Sequence, residues 1–156
     1  MSVIVKRTTL IVRDMELALR WYSEVLGMTV YYDDEVELSG VGLAAGKAGD
    51  RTRLVILQAE DPVIGMIGLL QWVAPEWPAP PVPDSVGYGQ PVFVCSTDDA
   101  RASHAKALEL GGRVHAAPHE FSVRGADGNI KNFVSVGLFD PDGHFYEINQ
   151  LLPGSN

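Results

Sequence analysis

At 156 residues the chain has the size of one domain or of two tightly fused small modules. Hydrophobic residues make up 46% and charged residues 21%, enough to build a core, and no run nears the roughly 20 apolar residues that span a bilayer. The net charge of −8 argues against nucleic acid or an anionic membrane as partner, since both are met with Lys and Arg. Met1 to Arg7 lacks the order of a signal peptide, and a lone Cys95 in a strand-like segment excludes an internal disulfide framework. The expectation is a cytoplasmic protein.

Residues 3–13 read as a strand rich in Val, Ile and Thr. Asp14 offers a helix N-cap, with Glu16 in the first turn. Met15, Ala18, Tyr22, Val25 and Leu26 then recur at helical spacing, and Gly27 stands where a C′ glycine belongs. Met28 to Tyr32 leaves as a strand. A glycine-containing loop, 40–51, precedes two more strand candidates, 53–60 and 65–73. The first half is therefore β-α-β-β-β.

Ala74 to Asp84 carries five prolines, which can continue neither a helix nor a central strand, so an extended connector is expected. The second half repeats the first. Gln90 to Cys95 is a strand, Thr97 or Asp98 can cap a helix over 100–110, and Gly111-Gly112 ends it. Arg113-Val114-His115 leaves as Thr29-Val30-Tyr31 did. Aligning Leu26-Gly27 with Leu110-Gly111 places Arg7 on Gln90, and Gly68 to Gln71 on Glu147 to Gln150. The expected organisation is a single domain, 1–156, made of a module at 3–73, a connector at 74–86 and a module at 87–152.

The last module closes on Phe133 to Phe139, then Asp140-Pro141-Asp142-Gly143, then a strand carrying Glu147. Pro141 pre-sets a turn, the Asp side chains can accept from its amides, and Gly143 accepts positive φ. Phe145, Glu147 and Asn149 share one strand face, while His144, Tyr146 and Ile148 share the other. A carboxylate flanked by apolar residues needs a partner, and the rest of the site is sought around it.

Leu10 to Asp14, Trp21-Tyr22-Ser23-Glu24-Val25-Leu26-Gly27-Met28, Gly89 and Asp140 to Gly143 with Glu147 together resemble the vicinal oxygen chelate superfamily, over residues 4–152. Its members include glyoxalases, bleomycin-resistance proteins and extradiol dioxygenases. The resemblance implies an α+β fold of two β-α-β-β-β modules whose curved sheets make a cup, assembled as a homodimer around a small-molecule ligand. It places the metal ligands of metal-dependent members on Arg7, Gly68, Gln90 and Glu147, or on Leu57 or Gln58 in place of Gly68. Only Glu147 matches: Gly68 has no side chain, Arg7 holds its proton, and an amide oxygen is a modest ligand. No metal cofactor is therefore expected.

The residues implied to line the cup are Arg7, Thr9, Gln90, Val92, Phe145, Glu147 and Asn149. If the family geometry holds, Arg7 faces Glu147, either plugging the former metal position or binding, with Gln90 and Asn149, an anionic or carbonyl oxygen of a ligand. Glu147 is the candidate catalytic base, although a neighbouring Arg7 would lower its pKa. His115 and His119 flank Pro118 and read as lid or loop residues. Trp72, Trp77, Tyr88, Tyr31 and Tyr32 are open to packing or to ligand stacking. The leading expectation is metal-independent small-molecule binding of the sequestration or resistance type. The alternatives are a metal-dependent lyase, isomerase or dioxygenase using Glu147 and Gln90, and a non-catalytic structural or regulatory module.

Overall fold

A computed structural model describes residues 1–155. The chain forms two compact units, one of residues 1–23 and 27–81, the other of residues 24–26 and 82–155. Each repeats the order β-α-β-β-β.

In the first unit β1 (Arg7–Ile11), β2 (Thr29–Glu37), β3 (Arg51–Gln58) and β4 (Met66–Ala74) form a sheet in the order β1-β4-β3-β2. β1 is shorter than residues 3–13 because its ladder begins only where β4 does, with Arg7 opposite Met66 in parallel. Val55, Leu57 and Leu69 share one face and are fully buried, each worth about 1.5–3 kcal/mol of transfer free energy. Arg53 and Gln71 share that face by register and hold the start of α1 (Met15–Glu24) over it. The Gln71 amide oxygen accepts from Met15 N at 2.8 Å, and Arg53 Nη1 donates to Glu16 at 2.6 Å. Arg53 also grips Asp33 through Nε and Nη2, which lowers the Asp33 pKa. Asp14 Oδ1 accepts from Leu17 N, so the expected cap is present. Gly27 stands beyond the helix at φ +67°.

In the second unit β5 (Val92–Ser96), β6 (Arg113–Arg124), β7 (Ile130–Phe139) and β8 (Phe145–Leu151) form a sheet in the order β5-β8-β7-β6. α2 (Ala100–Glu109) packs on β6, β7 and β8. Its buried positions are Ala100, Ser103 and Ala107, small enough to let the helix lie close over Val136, Leu138, Tyr146 and Ile148. The cap is Asp99, whose side chain accepts from Ala102 N, and not Thr97 or Asp98. The helix begins at Ala100, which puts Asp99 at the N-cap position, from which its side chain reaches the third helical N–H. Gly111 at φ +66° ends α2, with Gly112 N returning to Ala107 O and Gly111 N to Leu108 O.

His115 and His119 lie in β6 and belong to no lid. Pro118 is tolerated there because β6 is an edge strand and the register shifts between Ala116 and His119.

The internal repeat is exact in one contact. Gln150 Oε1 accepts from Ala100 N as Gln71 Oε1 accepts from Met15 N, each fixing a helix start to the last strand of its unit. The ladders pair Thr9 with Gly68 and Val94 with Glu147. Gly68 thus corresponds to Glu147 as the sequence alignment has it, but Arg7 corresponds to Val92 and not to Gln90.

Residues 75–91 contain no helix or strand. Arg13 Nη2 donates to Pro80 O at 2.6 Å in the first unit, and Arg113 Nη2 to Pro83 O at 2.7 Å in the second. Gly143, at φ +87°, lies under this second stretch: a Cβ there would sit 2.9 Å from Pro83 O and 3.0 Å from Val82 Cγ1. Gly143→Ala is expected to destabilise by about 1–3 kcal/mol through the positive φ alone, and the close backbone contact adds to it. Urea denaturation checks this; an unchanged midpoint would contradict it.

Candidate functional site

The turn that delivers β8 is built around Asp140. Its Oδ1 accepts from Asp142 N at 3.0 Å and His144 N at 2.7 Å, and its Oδ2 meets His144 Nδ1 at 2.9 Å. The Asp140 side chain is fully buried, and the turn closes with Gly143 N on Asp140 O. The His144 ring lies edge-on to Phe93, which stacks on Tyr146 at 4.7 Å. His144 therefore belongs with the buried face of β8, opposite Glu147.

On the face that α2 does not cover, Phe145, Glu147 and Asn149 are half-buried. Opposite them stand Phe139, Gly137 and Ser135 of β7 on one side, and Val92, Val94 and Ser96 of β5 on the other. Gly137 leaves room for an aromatic floor, since a Cβ there would lie 3.1 Å from the Phe145 ring. Phe139 and Phe145 meet at 5.1 Å, and the His115 ring stands edge-on to both at 6.2 and 5.6 Å. The Arg113 guanidinium lies 3.9 Å from the centre of the Phe139 ring. Arg113, His115 and Phe139 were not singled out as site residues in the sequence. Cross-strand register places them, and a single strand's alternation carries no trace of it.

Glu147 Oε1 accepts from Asn149 Nδ2 at 2.8 Å, so two of the expected site residues are bonded directly. Among the described residues the Asn149 Oδ1 atom is buried without a donor, an arrangement that costs about 1–3 kcal/mol. Gln90 lies outside β5. Its amide oxygen accepts from Gly87 N at 2.7 Å and closes a turn in which Gly89 has φ +81°. In the first unit Arg7 Nε donates to Thr9 Oγ1 at 3.1 Å, and both side chains stand beside Gly68.

These residues do not fit the metal site that the resemblance implies. Arg7 is cationic, the Gln90 oxygen is committed to a backbone amide, and a side chain at Gly68 would begin 2.6 Å from Thr9 Oγ1. Leu57 stands between Ile67 and Val30 in its ladders, which offer only carbon there. Among the described residues no group of three or more His, Cys, Asp or Glu side chains is placed to hold a metal ion. Cys95 stands in β5, where burial pushes its thiol pKa up, away from nucleophile chemistry.

Of the aromatic residues, Trp72 is buried in the first unit and stacks on Trp77 at 4.0 Å. Its indole Nε1 donates to the buried Asp50 carboxylate at 3.0 Å and is the main cause of that group's lowered pKa. A group with a lowered folded pKa contributes stability above its unfolded value, about 3.9, that is lost as the pH falls through the folded one. Trp72→Phe is therefore expected to weaken the loss of stability between about pH 4 and the acid limit. Urea midpoints from pH 7 downward would show it, and parallel curves for the two proteins would refute it.

The sequence model described as the Glyoxalase/Bleomycin resistance protein/Dioxygenase superfamily matches residues 4–148. Among solved structures, a glyoxalase family protein from Bacillus cereus aligns with a TM-score of 0.71 at 14% identity, over 97% of this chain and 96% of that one. A glyoxylase/bleomycin resistance protein/dioxygenase domain from Frankia sp. aligns with a TM-score of 0.65 at 14% identity, over 97% and 100%. The trypanothione-dependent glyoxalase I of Leishmania major aligns with a TM-score of 0.61 at 15% identity, over 96% and 87%. At such identities the likeness is one of fold. Comparison with curated proteins gives no match. No helix among the described residues is long and apolar enough to cross a membrane.

Proposed function

The chain belongs to the glyoxalase/bleomycin resistance protein/dioxygenase superfamily, and from that premise we propose that it binds an organic small molecule without a metal ion, as a homodimer. The observation that carries this reading is Glu147. It is a half-buried carboxylate on the uncovered face of its sheet, bonded to Asn149 and bordered by the Phe139, Phe145 and His115 rings. An apolar and aromatic floor with a few fixed polar groups is the usual composition of a ligand site. An ionised carboxylate only accepts hydrogen bonds, so the ligand group that meets Glu147 carries an N–H or O–H. Val92 adds an exposed apolar edge to the same face.

The residues at the positions of the implied metal ligands support metal independence, since only Glu147 among them is a strong ligand and the Gln90 oxygen, a modest one, is engaged by Gly87 N. Base catalysis by Glu147 is not required by this reading. Thermal shift across a panel of metabolites and cationic antibiotics tests it, because a ligand at 100 times its Kd stabilises the native state by about 2.7 kcal/mol. The expected result is at least one stabilising compound whose effect is lost in Glu147→Gln. Stoichiometric Fe, Ni, Zn or Mn in protein purified without chelator would overturn the metal-independent part. A monomer in sedimentation would overturn the dimer.

A further inference from the structure

The first unit holds a second polar arrangement, on the sheet face that α1 does not cover. β1 ends its sheet, and its alternation puts Arg7, Thr9 and Ile11 on one face, all exposed. Leu10, between them, is buried on the other face. The register sets Thr9 beside Gly68, where the face carries no side chain. Gly68 has no positive φ, so the structure uses its missing side chain rather than its conformational freedom. A Cβ there would sit 2.6 Å from Thr9 Oγ1 and 3.3 Å from Arg7 Cδ. The empty position is what lets the Arg7 stem and the Thr9 hydroxyl settle onto the strand.

This settles which donors the guanidinium presents. Its Nε–H is committed to Thr9 Oγ1, which leaves the Nη1 and Nη2 edge as a planar fork. Such a fork matches the two oxygens of a carboxylate. The Thr9 hydroxyl, having accepted from Arg7, still has its own proton to donate. Ile11, 39% exposed on the same face two residues beyond Thr9, offers an apolar contact there. The net charge of −8 works against a multiply charged anion more than a singly charged one.

We propose that Arg7, Thr9 and Gly68 form a binding site for an organic monocarboxylate, with the guanidinium fork on its two oxygens and Ile11 against its apolar body. The proposal rests on reading the chain as a small-molecule binding protein and adds a ligand class to it.

The test is isothermal titration calorimetry of the whole chain with benzoate, benzyl alcohol and inorganic phosphate. Benzoate is expected to bind, and benzyl alcohol and phosphate to bind at least about tenfold more weakly. Arg7→Lys keeps the charge but loses the fork and should weaken benzoate by about tenfold. Gly68→Ala should weaken it several-fold by displacing Thr9 and the Arg7 stem. Arg101→Ala, which removes one positive charge from the α2 surface, should leave it within about twofold. Wild-type affinity in both Arg7→Lys and Arg7→Ala would overturn the site, as would absence of benzoate binding at tens of millimolar. Equal binding of benzyl alcohol or phosphate would overturn the carboxylate class. If benzoate fails while the compound panel yields a Glu147-dependent ligand, this site falls and the binding function stands.

Discussion

Tyr146→Ala is expected to lower the stability of the second unit by about 3–5 kcal/mol, the range for removing a buried aromatic side chain. Tyr146 is 1% exposed, stands under α2 between Val136 and Leu138 of β7 and Ile148 of β8, and stacks on Phe93 at 4.7 Å with the rings 11° from parallel. Its removal leaves a cavity that sheet and helix can close only partly. Tyr146→Phe keeps the ring and the stacking, so it should recover most of the loss. Chemical denaturation of the two variants measures the difference. A loss below about 1 kcal/mol for Ala would show that the site collapses around the cavity.

Asp140→Ala is expected to cost about 2–5 kcal/mol, because two backbone N–H groups, of Asp142 and His144, lose their acceptor inside a closed turn. The same substitution frees the His144 ring from its 2.9 Å contact. Asp140→Asn keeps one side-chain oxygen for the two amides and should cost distinctly less. The turn also sets where β8 begins, with Phe145 opposite Phe139, and so where Glu147 stands. Asp140→Ala should therefore weaken any Glu147-dependent ligand more than its effect on global stability predicts. Thermal shift of the variant with that ligand, beside denaturation without it, would separate the two. A loss of stability with undiminished affinity would show that the register of β8 does not depend on the turn.

Much of the local structure was legible in the chain. Gly27 and Gly111 end the helices at positive φ, and Gly143 takes positive φ in the turn, because only glycine adopts that backbone without strain. The alternation of β8 separates Phe145, Glu147 and Asn149 from the buried Tyr146 and Ile148, as a period of two requires. The misread points have a common cause. Thr97, Asp98 and Asp99 are three potential caps in a row, and the position of α2 on the sheet selects the third. His115 and His119, flanking Pro118, read as lid or loop residues until β6 is found as an edge strand that tolerates the proline. Gln90 reads as the counterpart of Arg7 until the parallel ladder of β5 on β8 assigns that place to Val92.

The contacts that make sites are the least legible. Nothing near Asp50 in the chain announces that a tryptophan 22 residues away will donate to it. Gln71 and Gln150 look like ordinary polar strand residues, yet each fixes a helix 50 or more residues away. Arg113, His115 and Phe139 become neighbours of Phe145 only through pairing across β6, β7 and β8.

By itself, the sequence determined the doubled β-α-β-β-β order, the glycines that end both helices, the Asp140 to Gly143 turn and the face on which Glu147 stands. Each of these is set by dihedral preference, capping or periodicity within a few consecutive residues. Only the tertiary structure decided that Glu147 and Asn149 stand beside an aromatic floor of Phe139, Phe145 and His115, and that an empty Gly68 on β4 lies beside Arg7 and Thr9. Those outcomes depend on which residues face each other across strands. Register of that kind is fixed by packing between segments far apart in the chain, and no local pattern encodes it.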